Sequence, residues 1–269
     1  MLKTLADICS ETWKWRKQIV HIAFYDLKKK NRGAALGMAW LLFKPAIYVF
    51  CFWFALEIGL KSGHGYSGLE FLLWLCSGII PWFFMSEMLG TGISAFGKYP
   101  YLVKKIKFPL CGVSAIVATS AMLVQFMLQV CLFIVYFVAG KTIDIYLLQV
   151  PLLLVLMFIF WDIASILFSI FSAYSKDFFN LMKSLGTPLF WLSGVIFDLN
   201  NITIDWVVTF LHFNPITFFV SGFRCALMDK TWFWEDTPAL IGFVVVFLVT
   251  LVFMLVMYKR HGGEVADVL

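Results

Sequence analysis

Residues 110–139 read LCGVSAIVATSAMLVQFMLQVCLFIVYFVA, an uncharged run that decides the class of the fold. A bilayer's hydrocarbon core is about 30 Å thick and takes roughly 20 apolar residues of α-helix to cross, so this run has turns to spare. Lipid offers no partner to backbone N–H and C=O groups, which leaves helices or a closed barrel as the spanning structures. The run is continuously apolar rather than alternating by twos, and that excludes a barrel strand. Working outward, comparable runs cover 34–60, 69–89, 146–174, 180–197 and 239–258. The reading is an all-α integral membrane protein with six transmembrane helices, one domain over 1–269: an amphipathic segment at 1–33, the membrane helices within 34–258 and a tail at 259–269.

Composition agrees. Hydrophobic residues make up 62% of the chain and charged ones 14%, against about 25% charged in soluble domains. Where the charge sits matters more than its net value of +5. Of the 21 basic residues, only Lys61, Lys141, Arg224 and Lys230 fall on one side of the six spans, and Lys44 lies within a span. All others share the side that carries both termini, which the positive-inside rule assigns to the cytoplasm. Basic residues spent on topology leave no case for nucleic acid as a partner. The six cysteines are scattered, mostly inside spans, and read as small packing residues. The charged first 30 residues do not form a cleavable signal peptide, so the amino terminus is expected to persist.

Before the first span, Leu5, Ile8, Thr12, Trp15, Ile19 and Ile22 recur at spacings of 3 and 4, with Lys3, Lys14, Lys17 and His21 opposite. That is an amphipathic helix for the membrane interface, or one that packs on a soluble partner. Between the second and third spans, Lys98-Tyr99-Pro100-Tyr101-Leu102-Val103-Lys104-Lys105-Ile106-Lys107-Phe108-Pro109 is a basic, aromatic, proline-bracketed element suited to a groove on another protein. Between the fifth and sixth, residues 206–213 and 216–228 are apolar but too short to span, and Asn214-Pro215 separates them. They predict an outer re-entrant helical hairpin.

Other patterns fail their context. Gly63-x-Gly65-x-x-Gly68 has no strand before it, and Gly140-Lys141-Thr142 lacks the upstream glycine of a phosphate loop, so no nucleotide site is read. His21, His64, His212 and His261 are too scattered for a metal site. Asn201-Ile202-Thr203 is a chance-level sequon. Gly33-x-x-x-Gly37 suits close helix packing within the chain or between copies. Charge at a helix centre costs about 2.5–3.5 kcal/mol. Asp162 alone sits there and reads as a hydrogen-bonded packing residue, whereas Lys44, Glu57 and Glu87 can reach an interface.

Taken in order, Asp26-Leu27-Lys28, Leu36-Gly37-x-x-Trp40, Pro45, Gly78-Ile79-Ile80-Pro81-Trp82-Phe83-Phe84, 102–109, Lys176-Asp177, Phe190-Trp191-Leu192-Ser193, Asn214-Pro215, Phe223-Arg224 and Ala266-Asp267-Val268-Leu269 resemble ABC-2 type permeases that export bacterial cell-surface polysaccharides. Tyr25, Lys176 and Gly194 depart from that pattern, where Arg, Arg and Pro are usual. The resemblance implies a non-enzymatic transport subunit in the bacterial cytoplasmic (inner) membrane. Its partners would be a second copy and two ATP-binding subunits that hold ATP and Mg²⁺, this chain binding no cofactor itself. Its cargo would be an O-antigen, capsule or teichoic acid on polyprenyl diphosphate. The amino-terminal helix would act as a gate, and Lys98, Tyr99, Tyr101, Leu102, Lys104, Lys105, Lys107 and Phe108 would engage the ATPase. The hairpin with Asn214, Pro215 and Arg224 would help close the outer end.

Lys28, Lys29, Lys30 and Arg32 cluster just before the first span, where several cations can hydrogen-bond a diphosphate. They serve equally as a stop-transfer anchor to anionic lipid. Three other readings stand beside this one: export of another lipid or small amphiphile, a proton-coupled transporter, and a membrane-embedded glycan-processing enzyme. The second wants several intramembrane carboxylates and paired repeats. The last would draw on Asp198, Asp205, Asp229, Glu235 and Asp236, but no nucleophile or metal set accompanies them.

Overall fold

A computed structural model describes residues 2–60, 66, 68–104, 106, 108–199 and 202–265. The glycine-rich connection (61–65 and Ser67), Lys105, Lys107, Asn201 of the sequon and the tail 266–269 lie outside them. All regular structure among the described residues is helical. In chain order the helices are α1 (Leu2–Lys14), α2 (Arg16–Lys30), α3 (Trp40–Trp53), α4 (Leu69–Gly90), α5 (Ala95–Lys98), α6 (Pro100–Lys104), α7 (Leu110–Val138), α8 (Gln149–Tyr174), α9 (Lys176–Leu192), α10 (Asp205–His212), α11 (Pro215–Arg224) and α12 (Thr237–His261).

Among the described residues, five stretches are long and apolar enough to cross a bilayer: Gly37–Gly59, Leu69–Lys98, Leu110–Val138, Ile145–Tyr174 and Thr237–His261. A sixth exists only if α10 and α11, bent by 93°, count as one broken span. The fifth expected span, 180–197, is realised as α9, which starts four residues earlier and stops at Leu192. Its 17 residues rise about 26 Å. It stops because Gly194 takes φ +73, a left-handed conformation that turns the chain out of the helix.

α4 is the hub, buried along most of its length from Phe71 to Leu89 and packed against α7, α11, α9 and α3. On its far side α8, α11 and α12 close an aromatic cluster. Phe218 stacks on Phe243 at 4.1 Å, and Phe160 meets Phe219, Phe243 and Phe247. Gly242 lets α12 approach the α10–α11 elbow, since a Cβ there would sit 2.3 Å from the His212 carbonyl oxygen. By contrast α3 buries none of its residues. It touches the bundle along one edge, through Tyr48 on Phe83 and Phe52 on Phe190.

The carboxylates read within or at the ends of the spans are partnered. Asp162 accepts a hydrogen bond from Ser114 Oγ at 2.7 Å, which fits its reading as a packing residue. Glu57 accepts the Gly68 N–H, and Glu87 accepts from Lys30 and from the Thr91 hydroxyl.

The amino-terminal helix forms, broken at Trp15 into α1 and α2. Its apolar face lies against its own chain, as Ile8, Ile19, Ala23 and Leu27 are buried where α1 and α2 run along α7. A different edge, Trp13, Val20 and Phe24, is left exposed.

Candidate functional site

Two clusters, one at each end of the bundle, collect most of the expected site residues. The first lies at the basic end, where α2 meets α5 and α6. Asp26 sits one turn before the end of α2, and the proline-bracketed element brings Lys98 and Tyr99 to it. Lys98 Nζ lies 2.6 Å from Asp26 Oδ2, and the Tyr99 hydroxyl donates to the same oxygen. Partial burial by itself would raise the Asp26 pKa. The hydrogen bonds from Lys98 and Tyr99, with the charges of Lys98 and Lys29, outweigh it and hold the carboxyl below its usual value. Burial, then the donated bond to Asp26, raises the Tyr99 phenol, which stays protonated as the donor.

A second pin holds the other end of the element. Phe108 packs edge-on against Trp15 with centroids 4.8 Å apart, and its N–H closes back on the Leu102 carbonyl. Gly112 makes the space, because a Cβ there would lie 2.6 Å from the Phe108 ring. The expected coupling residues therefore divide by direction. Lys98, Tyr99 and Phe108 grip the amino-terminal helix, Leu102 is half-buried, and Tyr101 and Lys104 are exposed.

Lys28, Lys29 and Lys30 occupy the last turn of α2, where cations complement the helix dipole. All three, and Arg32, are exposed. Lys30 reaches Glu87 at 3.3 Å, whereas Lys28, Lys29 and Arg32 make no ion pair among the described residues. The basic end of α2 and the proline-bracketed element thus meet at one junction, with Asp26 between them.

The second cluster clamps the turn that follows α9, at the opposite end of the bundle. Asn214 caps α11 by accepting the Ile216 N–H, and its amide donates to Ser193 Oγ at 2.8 Å. Pro215 fills the first turn of α11, where its missing N–H costs nothing. Thr217 donates to the Ser193 carbonyl. Arg224, 5% exposed, donates to the carbonyls of Gly194 (2.7 Å), Val195 (2.7 Å) and Phe197 (3.1 Å). Its guanidinium lies 4.0 Å above the Trp74 ring of α4. Gly78, one turn along α4, leaves room for this, since a Cβ would sit 2.6 Å from the Val195 oxygen and 2.8 Å from Arg224 Nη2. The expected hairpin takes the form of two helices, α10 and α11, bent by 93°.

Beyond it, Lys230 bridges Asp144 at 2.5 Å and the Tyr136 hydroxyl at 2.6 Å. Gln149 holds the Thr231 carbonyl and the Phe233 N–H.

Sequence reading gave no role to Asp26, Trp74 or Gly78. Asp26 and Gly78 stood within the quoted motifs, and a carboxylate one turn from a lysine run was the available signal. No signal placed Trp74 beneath Arg224, because the two lie 150 residues apart.

Residues 17–228 match the family of ABC-2 type transporters. Among curated proteins, the chain is similar to an "O-antigen export system permease protein RfbA" of Myxococcus xanthus, 20% identical over 222 residues, 81% of this chain and 83% of the relative. Two proteins of the same name from Klebsiella pneumoniae are 23% identical over 224 residues (79% and 81%) and 22% identical over 252 (90% and 91%). The sequence motifs converge on two clusters, and the match covers most of the chain, so this protein belongs to the ABC-2 type transporter family.

Proposed function

We propose that the chain is the permease subunit of an ATP-driven exporter that carries a polyprenyl-diphosphate-linked cell-surface polysaccharide, of O-antigen or teichoic acid type, out across the bacterial cytoplasmic (inner) membrane. Two copies form the passage, and two separate ATP-binding subunits supply ATP and Mg²⁺. Both termini face the cytoplasm. The curated relatives carry the name of O-antigen export permeases, which supports the substrate class.

The observation that carries the reading is the two-sided coupling element. One side grips α1 and α2 through Asp26 and Trp15; the other presents Tyr101, 59% exposed, and Lys104. A nucleotide-driven push on Tyr101 moves Lys98 and Tyr99, hence Asp26, hence the end of α2 that bears Lys28, Lys29, Lys30 and Arg32. Of those cations, Lys28, Lys29 and Arg32, which make no ion pair among the described residues, bind the diphosphate, while the lipid tail remains in the bilayer.

The test is reconstitution with the ATP-binding subunit in proteoliposomes. Scrambling 101–108 is expected to preserve insertion and abolish export while ATP hydrolysis becomes independent of lipid-linked glycan. Export at the normal rate from the scrambled protein would remove the coupling role, and ATP hydrolysis by the permease alone would remove the division of labour.

A further inference from the structure

We propose that a cleft bounded by α2, α3, α4 and α7 holds the phosphate head of a resident anionic phospholipid, with one acyl chain in the apolar groove that continues from it. The cleft has a volume of about 220 Å³ and the groove about 440 Å³, and Pro45, Phe83 and Leu128 line both. The two adjoin at these residues, the cleft polar and the groove apolar. Along α3 the groove is walled from Leu42 to Trp53, a rise of about 16 Å. Half of the roughly 30 Å hydrocarbon core is the depth of one leaflet, so a chain seated there ends near the mid-plane.

The polar end is built around Gln125, which lines the cleft, is 1% exposed, and has no partner for its amide nitrogen or oxygen among the described residues. Its amide can donate to a phosphate oxygen and accept from a glycerol hydroxyl. Charge selects the class of head. Lys30, Lys44 and Lys98 line the cleft beside Asp26 and Glu87. Lys30 is committed to Glu87 and Lys98 to Asp26. Lys44 lies 6.0 Å from the Trp40 ring and makes no ion pair among the described residues. One surplus cation matches the single negative charge of a phosphodiester; a diphosphate would leave charge uncompensated. The lipid is therefore resident rather than cargo, and the site does not rest on the export reading.

Native mass spectrometry of the purified full-length protein, titrated with phosphatidylglycerol and with phosphatidylcholine, tests it. The expected result is one preferentially retained phosphatidylglycerol per chain. Lys44→Gln, at an exposed position, should weaken that binding about fivefold and leave phosphatidylcholine unaffected. Gln125→Leu should also weaken phosphatidylglycerol retention at unchanged thermal stability. Equal retention of the two lipids, or undiminished phosphatidylglycerol binding by Lys44→Gln, overturns the proposal. So does displacement by equimolar polyprenyl diphosphate, which would give the cleft to the cargo, or a cysteine cross-link between two copies across the groove, which would give it to a second copy.

Discussion

Replacing Arg224 by Lys keeps the charge and removes the fork that makes the clamp on the turn after α9. Arginine here serves three carbonyls at 2.7, 2.7 and 3.1 Å and stacks 4.0 Å above Trp74. A lysine ammonium on a single stem cannot span Gly194, Val195 and Phe197 together, so at least one carbonyl is left buried and unpaired. Leaving such a group costs about 1–3 kcal/mol, and a hydrogen bond to a charged group is worth about 1.5–3 kcal/mol. Loss of the planar stack adds about 0.5–2 kcal/mol. With relaxation of the turn, a net loss of about 3 kcal/mol is expected, which shifts the local opening equilibrium about 150-fold. Hydrogen exchange at the amides of 193–199 reads that opening directly, against unchanged protection in α7 as the internal reference. A double-mutant cycle with Trp74→Leu should return a coupling of about 1 kcal/mol. Exchange in 193–199 that stays within threefold of the parent protein would refute the clamp, because the hydrogen bonds would then contribute nothing net.

The other predictions are local. Gly78→Ala drives a methyl to 2.6 Å from the Val195 oxygen and should destabilise by about 1–3 kcal/mol, seen as a lower unfolding midpoint in detergent. Asn214→Ala removes both the α11 cap and the Ser193 bond and should cost at least about 1 kcal/mol, with proteolysis near the elbow as the readout. At the junction of α2 with α5, the depressed Asp26 pKa means that the latch contributes its stability above the carboxyl's unfolded value near 4 and loses it as pH falls through the lower folded value. Exchange protection of 96–104 should therefore be flat from pH 8 to 5 and drop only in stronger acid, whereas Asp26→Asn should show the unprotected level at every pH.

The long uncharged runs were legible because crossing lipid fixes both length and helical state. The elbow was legible too, since Asn214-Pro215 both caps and breaks. The end of α9 was not: Ser193 and Gly194 follow an apolar stretch whose hydropathy runs on to Phe197, and only the φ of Gly194 stops the helix. The face of the amino-terminal helix was read well from its spacing, but its partner, α7, was not, since periodicity shows that a face is covered without showing by what. Lys98 and Phe108 were singled out as contacts for another protein; within this chain Lys98 pairs with Asp26 while remaining exposed, and Phe108 is buried against Trp15. Charge and aromaticity do not reveal direction, and Asp26 lies 72 residues from Lys98.

A helix held along one edge takes its inclination from the bilayer as much as from its neighbours. With no residue of α3 fully buried, a thinner or thicker membrane is met by leaning that helix at a cost of only fractions of a kcal/mol per ångström of mismatch. Pro45 and Trp53 lean with it, so the protein has a part whose resting posture is set by acyl-chain length, and the host's lipid composition becomes a setting on the transporter.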